Sequence, residues 1–170
     1  MKYRNDFVTN SSSSSFIIAF KSEDEAIKNV RQKVADEEAA AIIVRDIKRA
    51  ERLNNDALME RLNDEGESHA YYQLSFGDGG WWSSSKDTFE NRWRKAHPDK
   101  AFHEMFEDEE YKKESAKIAD EYIKDILSKI DKDDTVIELS YSDNDGDLFS
   151  ELEHEIVPSL DITKVRFNHH

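Results

Sequence analysis

Five consecutive serines at positions 11–15 run without a break into Phe16, Ile17, Ile18, Ala19 and Phe20. Serine side chains bring no apolar area to a core, whereas the five residues after them bring a great deal. A disordered tail ordinarily gives way to a fold through charged, proline or glycine residues, and none stands between the two runs. The chain is therefore expected to begin with a Ser-rich lead-in, residues 1–15, packed on a domain that spans residues 16–170. The hydroxyls would satisfy backbone groups beside the first strand or cap turns around Asn10. Residues 16–20 themselves have the pattern of a strand buried on both faces.

Further elements follow from periodicity and caps. Ser22 and Glu25 have the spacing of a capping box that opens a helix with Ala26, Ile27, Val30 and Val34 on one face. A second helical pattern covers residues 36–53 and is interrupted at Asn54 and Asn55. A short helix capped by Asp56 is expected to stop at Gly66. Residues 70–76 (Ala-Tyr-Tyr-Gln-Leu-Ser-Phe) read as a second strand ended by glycines. A short helix follows through Phe89 and Trp93 and is cut by Pro98. The clearest helix falls at residues 107–130, the third strand at 136–141 and the fourth at 162–167, with a helical piece over 148–157 stopped by Pro158. That order predicts a single α+β or α/β domain built on a mixed sheet of about four strands, covered mainly on one face by helices. Residues 74–79 and 139–144 share a Leu-Ser-aromatic-small-Asp form; as two strand ends they would meet at one sheet edge.

The chain has 170 residues, enough for a sizeable core. Nine Phe, six Tyr and three Trp argue against disorder despite 36% charged residues. The net charge of -14 disfavours direct binding to nucleic acid or an anionic membrane. It suits a basic protein partner, a divalent metal, mimicry of nucleic acid, or solubility alone. With no cysteine, disulfides, thiolate metal sites and cysteine catalysis are excluded. No apolar run has the length of a membrane span, and the apolar run after the serines is too short for a signal-peptide core. The expected location is the cytoplasm.

Three groups of residues carry candidate chemistry. Asp143, Asp145, Asp147, Glu153 and His154 alternate along one polar stretch, where several oxygens could converge on a divalent cation. The spacing is not that of an EF-hand, and the same residues also make capped turns. His154, His169 and His170 form a second group, with His154 and His169 as candidates for acid–base work or transition-metal ligation. The terminal histidines read equally as a free chain end or an appended tag. Asp78 with Trp81 and Trp82, beside three glycines, forms a candidate interaction loop, or one anchored on the core.

Two resemblances add expectations. Residues 4–17, Arg-Asn-Asp-Phe-Val-Thr-Asn, the five serines and Phe-Ile, resemble the opening of many uncharacterised bacterial and phage proteins, which implies a phage or mobile-element setting and no particular activity. His97-Pro98-Asp99 after the basic Arg94 and Lys95 resembles the His-Pro-Asp loop of J-domain co-chaperones, with Ile118 and Tyr122 similar to residues of that family's third helix. That likeness would make His97, Pro98 and Asp99 a chaperone-contacting loop, but the glycines and tryptophans of residues 77–82 break the family's helical pattern. The leading expectation is a non-enzymatic interaction or regulatory protein. The alternative is a metal-dependent hydrolase built on the Asp143–Asp147 and His154 cluster.

Overall fold

The computed structural model describes residues 13–77 and 87–169, with Asn168 and His169 described by backbone alone. The chain is mixed α+β and divides into two compact units. One comprises Met1–Asn54 and Ile130–His170, the other Asn55–Lys129.

In the first unit the apolar run becomes strand β1, Ser13–Phe20, which includes the last three serines. It is the central strand of a three-stranded antiparallel sheet, between β2 (Thr135–Ser142) and β3 (Thr163–His169). A central strand has neighbours on both edges and cover on both faces, so its sequence is continuously apolar rather than alternating. Ser22 accepts from the Glu25 N–H at 3.2 Å to open α1 (Glu23–Lys33). Asp36 accepts from the Ala39 N–H at 2.7 Å to open α2 (Glu37–Arg49). Phe16, Ile18 and Phe20 line one face of β1 and join Val30, Ile43, Ile47, Ile137, Leu139 and Leu152 in one core. Each such buried side chain contributes about 1.5–3 kcal/mol.

The second helix stops at Arg49, short of the expected residue 53. The backbone beyond it is drawn onto β2, where the Leu53 N–H donates to Val136 O at 2.9 Å and Arg52 bridges to Ile137. After β2 the chain makes a 3-10 turn, Asp143–Asp145, then α6 (Asp147–Glu151), a turn of π-helix (Leu152–Ile156) and a 3-10 turn (Val157–Ser159).

The second unit is helical: α3 (Asn55–Phe76), α4 (Phe89–Ala96), a 3-10 segment (Phe102–Glu107) and α5 (Glu109–Leu127). The expected strand at residues 70–76 is instead the last two turns of α3, so the described sheet has three strands and not four, and its pairings are antiparallel rather than mixed. Of the two like segments, residues 74–76 end a helix and residues 139–142 end a strand. Gly66 does not terminate the preceding helix. Leu58, Leu62, Gly66, Ala70 and Leu74 recur every fourth residue and are buried along one stripe of α3. At Gly66 a side chain would meet α5, because a Cβ there would stand 3.1 Å from Ile123 Cδ1 and 3.4 Å from Ala119 Cβ. The glycine is kept for close approach of two helices, which outweighs its low helix propensity of about 1 kcal/mol. His69, partly buried in the same helix, stacks on Tyr122 of α5 at 4.1 Å between ring centroids. Burial lowers the pKa of the His69 ring and raises the Tyr122 phenol to about 12.

Gly66→Val should lower unfolding stability by about 1–3 kcal/mol through overpacking, measured by urea denaturation. Gly66→Ala should stay within about 1 kcal/mol of the parent, since helix propensity offsets the crowding.

Candidate functional site

The core-facing side of β1 reads Phe20, Ile18, Phe16 and then Ser14, so the apolar core ends in a polar group. Ser14 is buried, and its hydroxyl donates to Glu153 Oε1 at 2.8 Å. Glu153 has no exposed surface. It lies in the π-helical turn directly after Leu152, which is equally buried in the core. That turn, with its extra residue, carries two consecutive side chains inward. Glu153 Oε2 accepts from the Asp143 backbone N–H at 3.0 Å. Arg166 of β3 completes the group: Nε donates to Ser14 Oγ at 3.0 Å and Nη2 to Glu153 Oε1 at 3.4 Å. Its guanidinium also lies 5.9 Å from the centroid of the Phe16 ring, its register partner on β1.

Arg166 Nη2 is 3.1 Å from His154 Nδ1. A guanidinium only donates, so in this contact Nδ1 is the acceptor; the other ring nitrogen, Nε2, lies 3.9 Å from Glu153 Oε2. Gly146 allows this arrangement. At φ 115° it turns the chain from Asp143–Asp145 into α6, in backbone space that side-chain-bearing residues avoid.

Of the expected ligands, Asp143, Glu153 and His154 come together, with ligand atoms all within 4.8 Å of one another. Asp145 and Asp147 stand outside that group and are exposed. His169 is placed by backbone opposite Ser13. Its side chain lies outside the described residues, as do His170, Asp78, Trp81, Trp82 and residues 1–12. The capped-turn reading also has its contacts, since Ser142 Oγ accepts from the Asn144 N–H at 3.3 Å.

Chemically the group is a mixed-charge latch. A cation bound by Asp143, Glu153 and His154 would have to share Glu153 and the His154 lone pair with Arg166, whose positive charge opposes a dication. Ser14 and Arg166 went unrecognised in the sequence because their roles depend on strand register. One signal was present, however. No Lys or Arg occurs between Lys132 and Lys164, a stretch carrying ten Asp and Glu. There Asp145, Asp147, Glu151 and Glu155 are all exposed along the α6 edge.

A second acidic group was also missed. Asp131, Asp133 and Asp134 surround Lys21 Nζ at 2.7, 3.0 and 3.5 Å. The hydrogen bond to Asp131, followed by that to Asp133, raises the ammonium pKa, and Lys21 in turn lowers that of Asp133. The lysine takes the position a metal would need.

In the second unit His97 ends α4, its backbone N–H donating to Trp93 O and its ring packing on Trp93 at 4.9 Å between centroids. The Trp93 indole N–H donates to Asp108 Oδ2 at 3.2 Å. Asp108 caps α5, and the backbone N–H of Glu110, aided by that indole and the Tyr111 N–H, holds its carboxyl below the ordinary range. Among the described residues no helix is long and apolar enough to cross a membrane. No family model, curated protein or solved structure matches the chain.

Glu153→Ala should lower stability by about 3 kcal/mol in chemical denaturation, at the low end for one partner of a buried pair because Arg166 reaches solvent. Glu153→Gln, which keeps acceptor and shape, should cost less.

Proposed function

We propose that the chain is a non-enzymatic binding protein that takes a basic protein partner on the carboxylate edge of its first unit. The observation that carries this reading is the α6 edge, where Asp145, Asp147, Glu151 and Glu155 are exposed within a stretch free of Lys and Arg. Beneath them the one buried carboxylate is already matched by Arg166. Exposed like charges at this density repel one another and are relieved when lysines or arginines of a partner arrive. Such an edge also offers a row of anions to a surface that otherwise binds nucleic acid. The resemblance of residues 4–17 to uncharacterised bacterial and phage proteins implies a phage or mobile-element setting, which fits a small acidic protein acting on host machinery in the cytoplasm.

The test is capture of bacterial proteins by the purified chain and by a variant with Asp145→Asn, Asp147→Asn, Glu151→Gln and Glu155→Gln. A basic protein should be retained by the parent at about 0.1 M salt and released towards about 1 M, as screening shortens from about 10 to about 3 Å. The variant should not retain it. Equal capture by the variant, or capture insensitive to salt, would overturn the reading.

A second reading rests on the convergence of Asp143, Glu153 and His154: a metal-dependent hydrolase with His154 as base. Thermal unfolding with magnesium, manganese, calcium or zinc at millimolar levels separates the two. The binding-protein reading expects no rise in Tm; a rise that Glu153→Gln abolishes would favour the hydrolase.

A further inference from the structure

The corner made by α1 and α2 carries the opposite charge to the rest of this acidic chain. Arg31, Arg45, Lys48 and Arg49 line a groove of about 820 Å³ in the first unit, and Glu37 is the one carboxylate lining it. Arg45 is held in place by Asp46 at 2.8 Å. Arg31, Lys48 and Arg49 have no ion-pair partner among the described residues, although acidic residues outnumber basic ones 38 to 24 over the chain. Their places in the last turns of α1 and α2 suit the helix dipoles. The dipoles do not account for the surface between them.

That surface is apolar. Ala40, Ala41 and Val44 line the groove from α2; Ala41 is exposed, while Ala40 and Val44 are half-buried where the groove floor meets the core of Ala39, Ile43 and Ile47. A solvent-facing helix side ordinarily carries polar residues. Here small apolar side chains are bordered by cations, and their size lets a second helix approach to an axis separation of about 8–10 Å. From Glu37 to Lys48 the groove side of α2 runs about 18 Å, or about three helical turns.

We propose that this groove docks an acidic amphipathic helix of a partner protein. The apolar stripe of the incoming helix covers Ala40, Ala41 and Val44, and its flanking Asp and Glu meet Arg31, Lys48 and Arg49. Charge complementarity selects this occupant. The chain's own undescribed segments do not supply it: residues 1–12 carry Lys2 and Arg4 against Asp6, and residues 78–86 carry Asp78 and Lys86. The groove shares no residue with the α6 edge, so each surface can be tested without the other.

The probe is a synthetic helix-forming peptide of about sixteen residues with leucines at i, i+3, i+4 and i+7 flanked by glutamates, added to the isotope-labelled full chain and followed by NMR. Shifts should cluster at Ala40, Ala41, Val44 and Lys48. Affinity should fall at least about tenfold in Lys48→Glu/Arg49→Glu, in Ala41→Glu, and for a peptide with lysines in place of the glutamates. Circular dichroism should be unchanged, because these positions are exposed and Glu favours helix. The four-fold α6-edge variant should bind the peptide as the parent does. No shifts in the groove, equal binding of the lysine peptide, or unchanged binding by the groove variants would overturn the proposal. So would a dimer of the chain alone, seen by sedimentation and abolished by those variants, which would make a second copy the occupant.

Discussion

β2 and β3 do not pair with each other; each hydrogen-bonds along one side of β1. The sheet therefore exists through one strand of eight residues, which joins strands from late in the chain to one near its start. Removing β1 would leave two unpaired strands, with both rows of backbone groups open to water. Its side chains carry the same burden in the third dimension, since Phe16, Ile18 and Phe20 hold α1, α2 and the π-helical turn to a single core.

The last three serines of the run belong to this strand. Ser13, Ser14 and Ser15 continue β1 past the apolar residues, and the strand ends among polar partners. Ser15 Oγ lies 2.7 Å from Ser140 Oγ across the ladder, while Ser14 turns inward to Glu153 and Arg166. A small hydroxyl side chain suits that position because it can donate to a carboxylate and accept from a guanidinium in the space where a larger residue would push both away. The same hydrogen bonds explain why a fully buried glutamate is tolerated, and why the cluster resembles a latch more than a metal site.

Much of the architecture was legible in local chemistry. The cap at Ser22 and the helices α1, α4 and α5 rest on interactions within a few residues and fall close to where spacing and periodicity placed them; the strands at 136–141 and 162–167 also fall there, although their pairing is with distant β1. The error at residues 70–76 has a definite cause. Aromatic and turn-flanked sequence favours a strand locally, and Gly66 looks like a stop. Yet the fourfold spacing of Leu58, Leu62, Gly66, Ala70 and Leu74 had already marked a helical stripe. The deciding term is the packing of α3 on α5, where Gly66 admits Ile123, and a glycine chosen for contact looks the same in sequence as one chosen for a turn.

The candidate site divides in the same way. Sequence placed Asp143, Glu153 and His154 near one another because they are near along the chain, and it set the acidic character of the edge, since charge is additive and needs no fold. It could not bring Ser14 and Arg166 to Glu153, because they are separated from it by 139 and 13 residues and meet only through the register of three antiparallel strands. By itself the sequence determined a buried first strand, capped helices and an acidic exterior. Only the tertiary structure decided that the strand is central, that the buried glutamate is matched by an arginine, and that the cations at two helix ends border one apolar groove. Those outcomes are contacts between distant residues, and local preference carries no information about which distant residues will meet.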